Sequence, residues 1–302
     1  MNEISNNITT LRDLISMTAD EFSASHIFLG HGTDNALDEA VHLILHCLSI
    51  DFQSLEQQLD KSVTSSELEK VKVLVKQRIQ TRKPLAYLIN KAYFANLEFY
   101  VTEDVLVPRS PFAELIEDFF FPWVDHDNIN DVLDLCTGSG CIGIASAFAF
   151  PNASVTLSDI SDKAIRIAEK NTQNHQLSDR ISIIQSDIFS NFSNQTFDLI
   201  LSNPPYVSEN EYTNLPEEYL NEPSIGLVSG KDGMDIVTKI LAQASSFLTK
   251  NGIIILEVGA SADLLMNRFP KVPFQWIEFE NGGDGVFILN KQELEQYKEA
   301  FK

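Results

Sequence analysis

Basic residues are scarce in this chain of 302 residues, which has 22 Lys and Arg against 43 Asp and Glu and a formal net charge of −21 at pH 7. A protein that binds duplex nucleic acid needs cations to replace the counterions of the phosphates. The balance therefore argues against a direct nucleic acid substrate. The same negative field would attract a basic protein partner, although acidity could equally serve solubility alone.

Cysteines and long apolar runs are also few. The three cysteines, Cys47, Cys136 and Cys141, have no four-ligand zinc spacing, so we predict free thiols and no metal. No segment approaches the roughly 18 apolar residues of a membrane span, and the first residues lack the basic and apolar stretches of a secretory signal. These absences favour a cytoplasmic protein with no membrane attachment.

What the chain does contain is an unusual corner, Asn203-Pro204-Pro205-Tyr206, directly after a strand predicted at residues 197–202. Two consecutive prolines end the strand and hold Asn203 away from the helical region. The Asn203 amide, nearby carbonyls and the Tyr206 ring suit a planar –NH2 group, because the oxygens accept its hydrogens and the ring stacks on its plane. We interpret the corner as a site that aims the lone pair of a weak nitrogen nucleophile.

A glycine-rich loop lies further upstream, between a buried strand and an apolar helix, where Gly138, Gly140 and Gly143 match G-x-G-x-x-G. Alone, this pattern is typical of dinucleotide sites, so a nicotinamide-dependent oxidoreductase stays an alternative. Asp134 ends the strand, and its carboxylate would repel a pyrophosphate at the helix N-terminus. S-adenosyl-L-methionine carries an ammonium and a sulfonium and no phosphate, so this carboxylate favours it.

Two more acids end the next two predicted strands. Asp159 is placed to accept hydrogen bonds from ribose hydroxyls, and Asp187 to accept the adenine amino group. Three acids at the carboxyl ends of three successive strands indicate one nucleoside-binding edge.

The chain divides into a helical N-terminal domain for substrate recognition (residues 1–84), a β-hairpin linker (85–104) and a catalytic domain (105–302). Helices are predicted from residue 10, after Asn35 with Leu37 facing inward, and from Thr64, which forms a capping pair with Glu67. The linker is aromatic and β-prone over residues 86–89 and 92–101, which predicts strands in both.

Strands and helices alternate through the third part, which predicts a mostly parallel, doubly wound α/β sheet. The last two strands, at residues 274–279 and 286–290, are joined by a glycine-rich turn and should pair as an antiparallel hairpin. The other predicted strands are residues 132–136, 155–158, 181–186, 197–202 and 253–258.

The glycine loop, the acidic strand ends, the Asn-Pro-Pro-Tyr corner and the terminal hairpin together resemble the S-adenosylmethionine-dependent methyltransferase fold, a Rossmann-like sheet. The helical N-terminal domain and Val107-Pro108-Arg109 narrow the resemblance to the HemK-like protein glutamine N(5)-methyltransferases, over essentially the whole chain. Residues 30–35, 110–115 and 281–287 resemble the branch that modifies ribosomal protein L-three of the large subunit rather than the release-factor branch.

The resemblance implies methylation of a glutamine side chain in a basic ribosomal protein. It implies that the substrate amide is bound by Asn203, Pro204, Pro205 and Tyr206. It implies that S-adenosyl-L-methionine is bound by Asp134, Thr137, Gly138 and Gly140, with Asp159 and Asp187 matching in residue type. A release-factor glutamine methyltransferase and an exocyclic-amine methyltransferase acting on RNA or DNA stay as alternatives.

Overall fold

The computed structural model describes residues 10–302 of the chain, which form two compact units. Of the described residues, the first unit comprises those up to Lys91 together with Pro216–Asn221, and the second comprises Ala92–Leu215 and Glu222–Lys302. The first unit thus extends past residue 84, and it takes in a segment that the sequence analysis assigned to the catalytic domain. The segment belongs there because Glu218 hydrogen-bonds to the Phe28 N–H and to the buried Arg78 side chain.

The first unit is helical. Its helices are α1 (Leu11–Ala24), α2 (Ala36–Leu48), α3 (Leu55–Gln58), α4 (Ser65–Thr81) and α5 (Leu85–Ile89). Capping boxes begin two of them, Thr10 with Asp13 at α1 and Thr64 with Glu67 at α4, where side chains satisfy the first free N–H groups. The apolar faces of α1, α2 and α4 form one core, whose buried members include Leu14, Leu43 and Val75.

Two details of this unit differ from the prediction. The strand predicted at residues 86–89 is wrong, because Leu85–Ile89 is a short helix that Asn90 ends in a left-handed conformation. A short apolar run fits either element, and Leu85 is buried in the helical core. Leu37 was expected to face inward but is 53% exposed, since α2 turns Ala40, Leu43 and Ile44 to the core instead.

The second unit begins with a hairpin of two short strands, β1 (Ala92–Phe94) and β2 (Leu97–Phe99). The turn residues Ala95 and Asn96 both have positive φ, 45° and 60°, as a two-residue hairpin turn requires. The hairpin predicted in the linker is therefore present, but it is confined to these residues.

A seven-stranded sheet forms the centre of the second unit, in the order β5-β4-β3-β6-β7-β9-β8. β3, β4, β5, β6 and β7 are parallel, whereas β9 pairs antiparallel with both β7 and β8. The strands are β3 (Asp131–Leu135), β4 (Ser154–Asp159), β5 (Ile181–Gln185), β6 (Phe197–Ser202), β7 (Leu248–Glu257), β8 (Gln275–Trp276) and β9 (Val286–Asn290). The predicted doubly wound sheet and its antiparallel terminal hairpin are confirmed.

The helices of the second unit are α6 (Phe112–Glu117), α7 (Cys141–Ala149), α8 (Asp162–Asn174), α9 (Glu209–Tyr212), α10 (Asp235–Ala244), α11 (Ala262–Arg268) and α12 (Lys291–Gln296). α12 was not predicted, although Asn290 and Glu293 give it a capping box. Strands covered on both faces become continuously apolar, and β6 shows this with Leu199, Ile200 and Leu201 fully buried.

The carboxyl ends of the parallel strands meet at one edge of the sheet, where ligands bind in open α/β folds. The glycine loop follows β3 and the Asn-Pro-Pro-Tyr corner follows the adjacent β6. The fold therefore places both predicted motifs on neighbouring strands. Within residues 10–302, no helix combines the length and the apolar character needed to cross a membrane.

Candidate active site

The glycine loop connects β3 to the N-terminus of α7. Gly138 has φ +55°, and an added Cβ there would meet no atom within 4 Å, so the loop faces open space at this point. Gly143 has the opposite surroundings, because an added Cβ would lie 2.1 Å from Leu157 and 3.0 Å from Asp134. The first glycine thus leaves room for a ligand, while the last lets α7 pack closely on the sheet.

Asp134 lies buried beneath this loop, at the end of β3. Its Oδ2 atom accepts hydrogen bonds from Thr137 Oγ1 at 2.5 Å and from the Gly143 N–H at 2.9 Å. Its Oδ1 atom is buried and has no hydrogen-bond partner in the described part of the chain. Burial raises the pKa of this carboxyl to about 7, and the nearby Asp159 carboxylate adds to the rise.

Asp159 stands at the end of the neighbouring strand β4. Its two oxygens accept the backbone N–H groups of Gly138 and Ser161, both at 2.9 Å, and burial raises its pKa. Asp187 follows β5 at the same edge and is exposed to solvent. The three predicted acids therefore occupy the ends of three adjacent parallel strands, in the order expected.

Asn171 fixes the loop from behind and was missed by the sequence analysis. This fully buried residue of α8 donates to the Ser139 and Tyr100 carbonyls at 2.8 and 3.0 Å and accepts the Tyr100 N–H at 2.8 Å. All of its amide groups are used within the fold. A single asparagine on an amphipathic helix gives no signal that would reveal this role.

The Asn203-Pro204-Pro205-Tyr206 corner leaves β6 beside β7. The carbonyls of Pro204 and Pro205 accept no hydrogen bond from the described residues. The Tyr206 ring is confined by Gly259, since an added Cβ there would lie 3.0 Å from two ring carbons and from the hydroxyl oxygen. Ser261 Oγ donates to the Tyr206 carbonyl at 3.2 Å. The corner is rigid at Tyr206 and presents free acceptors at the prolines.

Glu257 supports the corner and was also missed. Its Oε1 atom accepts the Tyr206 hydroxyl at 3.1 Å and its Oε2 atom accepts Ser110 Oγ at 2.5 Å, while the nearby Asn203 side chain favours its charged form. The residue is only 4% exposed, and burial raises its pKa to about 7. A lone glutamate at a strand end resembles a solvated carboxylate, so its burial could not be deduced from the sequence.

Arg109 and Glu222 join the segment before α6 to the chain that follows Asn221. The guanidinium donates to both oxygens of the buried Glu222 carboxylate, at 2.6 and 2.5 Å. The Val107 N–H donates to the same carboxylate at 3.0 Å. Bidentate pairs of this kind are geometrically specific, which accounts for an arginine in the Val-Pro-Arg segment.

Known proteins resemble this chain in both units. Residues 118–230 match the methyltransferase small domain, and residues 23–89 match the PrmC N-terminal domain. A ribosomal protein uL3 glutamine methyltransferase of Francisella tularensis subsp. tularensis is 45% identical, with 99% of this chain and 96% of that protein covered. A protein of the same name from Neisseria gonorrhoeae is 41% identical, with 97% and 98% covered.

The chain belongs to the HemK-like family of protein glutamine methyltransferases. The predicted family and activity are thereby confirmed, and the nicotinamide alternative is excluded. A solved structure of the 16S rRNA N2 G1207 methyltransferase of T. thermophilus is 16% identical, with a TM-score of 0.46 over 66% of this chain and 49% of that one.

This methyltransferase uses S-adenosyl-L-methionine, and the residues at the sheet edge fit that molecule. A buried carboxylate oxygen without a donor, Asp134 Oδ1, suits a cationic ligand. The open space over Gly138 leaves room beside it. A pyrophosphate in place of a cation would meet the charges of both Asp134 and Asp159, so the donor set favours S-adenosyl-L-methionine over a dinucleotide.

Proposed function

We propose that this methyltransferase adds one methyl group to the side-chain nitrogen of a glutamine in ribosomal protein uL3. The observation that carries the proposal is the likeness, over almost the full length of each chain, to two enzymes named for that substrate. The charge of −21 supports it, since a strongly acidic enzyme attracts a basic protein partner and repels free RNA. A ribosomal protein substrate and free thiols also support a cytoplasmic location.

We further propose roles for the residues at the glycine loop. Asp134 and Asp159 would hold the cofactor through their carboxylates, with Thr137, Gly138 and Gly140 shaping the loop and Asp187 accepting from the adenine. When bound, S-adenosyl-L-methionine supplies a methyl group on positively charged sulfur. The support is positional, because Thr137 and Gly143 fix the Asp134 carboxylate and leave one oxygen unused.

The Asn-Pro-Pro-Tyr corner would hold the substrate carboxamide. The Asn203 Oδ1 atom and a proline carbonyl accept the two amide hydrogens, and the Tyr206 ring covers the amide plane. These bonds increase electron density on a nitrogen whose lone pair is otherwise delocalised into its carbonyl. Fixing the direction of that lone pair removes an entropic part of the barrier, which reaches about 7–11 kcal/mol in ideal cases.

Mass spectrometry of uL3 tests the substrate. Purified unmethylated uL3, incubated with the enzyme and S-adenosyl-L-methionine, should gain one methyl group on a glutamine. A release factor and ribosomal RNA serve as competing substrates in parallel reactions. Methyl transfer to either of these, with uL3 unchanged, would overturn the proposal.

Replacing Asn203 tests the corner. Asn203→Ala should leave the affinity for S-adenosylhomocysteine unchanged, because that molecule contacts the glycine loop, while kcat falls by a factor of about 10² to 10³. Isothermal titration and initial rates measure the two quantities separately. An Asn203→Ala variant with full kcat would remove this residue from the chemistry.

We propose that the helical unit selects the target protein. It has its own core and matches the PrmC N-terminal domain, whereas the catalytic sheet carries the chemistry. Exchange of the first unit with that of a release-factor enzyme should redirect methylation to release factors. Unchanged methylation of uL3 by such a chimaera would assign target selection to the catalytic unit.

A further inference from the structure

We propose that Glu257 is a positioning residue whose carboxylate sets the orientation of the Asn203 amide and of the Tyr206 hydroxyl. The inference rests on the function proposed for the corner and goes beyond it, because it names the group that decides which face of the Asn203 amide the substrate meets. Glu257 itself need not touch the substrate or the cofactor.

The sheet register brings these groups together. Ser202 of β6 pairs with Leu256 of β7. The residues that follow these two in the chain are Asn203 and Glu257, which therefore lie side by side. Two prolines then carry the chain back, and the Tyr206 hydroxyl reaches Glu257 Oε1 at 3.1 Å. Glu257 thus hydrogen-bonds to one functional end of the corner, Tyr206, and lies beside the other, Asn203.

The donor and acceptor chemistry of a carboxylate defines the orientation. An ionised carboxylate only accepts hydrogen bonds, so the Asn203 group that faces Glu257 must be the –NH2. The Asn203 Oδ1 atom is then turned away from Glu257 and is available to a substrate N–H. Without this anion, the Asn203 –NH2 loses the acceptor that fixes its direction, and the flipped amide would present a donor to the substrate amine.

Protonation of Glu257 removes this constraint on the Asn203 amide. A carboxylic acid can donate its proton to Asn203 Oδ1, which permits the wrong flip. Burial raises the pKa of Glu257 to about 7, while hydrogen bonds from Ser110 and Tyr206 and the positive charge of Arg109 oppose the rise. The orienting anion is therefore present above about pH 7 and is lost as the pH falls below it.

Among the described residues, the charged group that acts on Glu257 is Arg109 and the titratable partner is Tyr206. Arg109 lies on the segment before α6 and is itself paired with Glu222, and Tyr206 lies on the corner. On β9, the residue that pairs with Glu257 is Val286, which carries no charge.

Kinetics of Glu257→Gln with uL3 gives the first test. At saturating cofactor the wild-type kcat should fall as the pH drops through about 7, and Glu257→Gln should lack this limb. Its kcat above that pH should be about 10²-fold lower, as expected when a reacting group is misplaced. Affinity for S-adenosylhomocysteine should not change, because the glycine loop is intact. Asp198→Asn is the matched control, since it removes a carboxylate from the opposite end of β6.

Asparagine-selective ¹⁵N NMR gives a second test that needs no protein substrate. The Asn203 side-chain signals, assigned by their loss in Asn203→Ala, should shift with a midpoint near pH 7 in the wild type. They should not shift in Glu257→Gln, although the other buried carboxyl of the site, Asp134, titrates over the same pH range in both proteins.

The outcomes separate the two proposals. Wild-type enzyme that leaves uL3 unmethylated contradicts the proposed substrate, and the NMR titration then decides the positioning role alone. Active wild-type enzyme with an unchanged kcat and pH profile in Glu257→Gln, or Asn203 signals that ignore Glu257, overturns the positioning role and leaves the substrate assignment standing.

Discussion

Arg78 in the helical unit and Asp134 in the catalytic unit are both withdrawn from solvent, yet their surroundings differ. Arg78 is fully buried, and its guanidinium donates to Glu39 at 2.5 Å, to the Phe28 carbonyl at 2.9 Å and to Glu218 at 3.4 Å. Asp134 has no cation among its hydrogen-bond partners, and one of its oxygens has no partner in the described residues.

The charge of Arg78 is satisfied within the fold, whereas Asp134 keeps an unsatisfied oxygen, which agrees with the cofactor-binding role proposed for it. Arg78 pairs with the carboxylates of Glu39 and Glu218, and Thr33 Oγ1 donates to the second oxygen of Glu39 at 3.0 Å. Burial raises the pKa of both Asp134 and Glu257 to about 7, so in the free enzyme both charges are costly near neutral pH. Perturbed acids of this kind concentrate at functional sites.

Breaking the Arg78 cluster should have the largest effect on stability. Arg78→Ala leaves Glu39 buried without its cation and leaves Glu218 with Arg82 alone, at 3.7 Å, which we expect to cost about 3–5 kcal/mol. Thermal unfolding of the full chain measures the loss. Arg78→Lys keeps the charge without the planar fork and should lose less. Equal stability of wild type and Arg78→Ala would show that the cluster adds nothing to the fold.

Neutralising Asp134 should raise the stability of the free protein, whereas removing Arg78 lowers it. Asp134→Asn can still accept from Thr137 and Gly143. A carboxyl whose folded pKa is raised lowers the stability of the protein as the pH rises through that pKa. Above about pH 8 we therefore expect the substitution to stabilise the free protein by about 2–4 kcal/mol. Near pH 4 the gain should vanish, since the wild-type carboxyl is then protonated in the folded state. Thermal unfolding at both pH values measures the change.

The same Asp134→Asn variant should bind S-adenosylhomocysteine more weakly, and calorimetric titration measures that affinity. If the variant is less stable than the wild type at every pH, the Asp134 charge serves the stability of the fold, as that of Arg78 does. Unchanged affinity would remove it from the cofactor site.

The Tyr206 ring allows a smaller test within the catalytic unit. Gly259→Ala places a methyl group 3.0 Å from the ring, which should tilt Tyr206 and lower kcat about tenfold. Gly282→Ala is the matched control, because Gly282 also has positive φ but an added Cβ meets nothing within 4 Å. Initial rates with uL3 compare the two, and equal effects would mean that backbone strain alone is responsible.

Removing the Ser110 hydroxyl should have the smallest effect. Ser110 donates to Glu257, so Ser110→Ala should raise the pKa of Glu257 further, by at most about one unit, and shift the acid limb of kcat to higher pH. The pH dependence of kcat measures the shift. A limb that moves to lower pH would contradict the surroundings described for Glu257.

Local sequence patterns were enough to predict much of the fold. Thr64 with Glu67 marked a helix start, and the glycine loop and Asn203 marked the ends of β3 and β6, because caps, turns and prolines act over a few residues. These patterns also predicted that Asp134 and Asp159 lie at the same edge of the sheet, because the carboxyl ends of parallel strands meet at one edge.

What the sequence did not reveal depends on contacts far apart in the chain. Glu257 meets Ser110 across 147 positions, and Arg78 meets Glu218 across 140. No local pattern distinguishes these buried residues from surface residues, because the same amino-acid types occur at both places. The helix Leu85–Ile89 was missed for a related reason, because burial in the first core decided between helix and strand.

Because Pro216–Asn221 belongs to the helical unit, the chain crosses between the two units after Lys91, after Leu215 and again after Asn221. A domain joined at one point can be duplicated, lost or replaced by a single recombination event. Here such an event would leave Glu218 without Arg78 and Tyr219 without the rings of Phe28 and His31, in the middle of the catalytic chain. The helical unit and this inserted segment must therefore be inherited as a pair, and their sequences should change together among relatives.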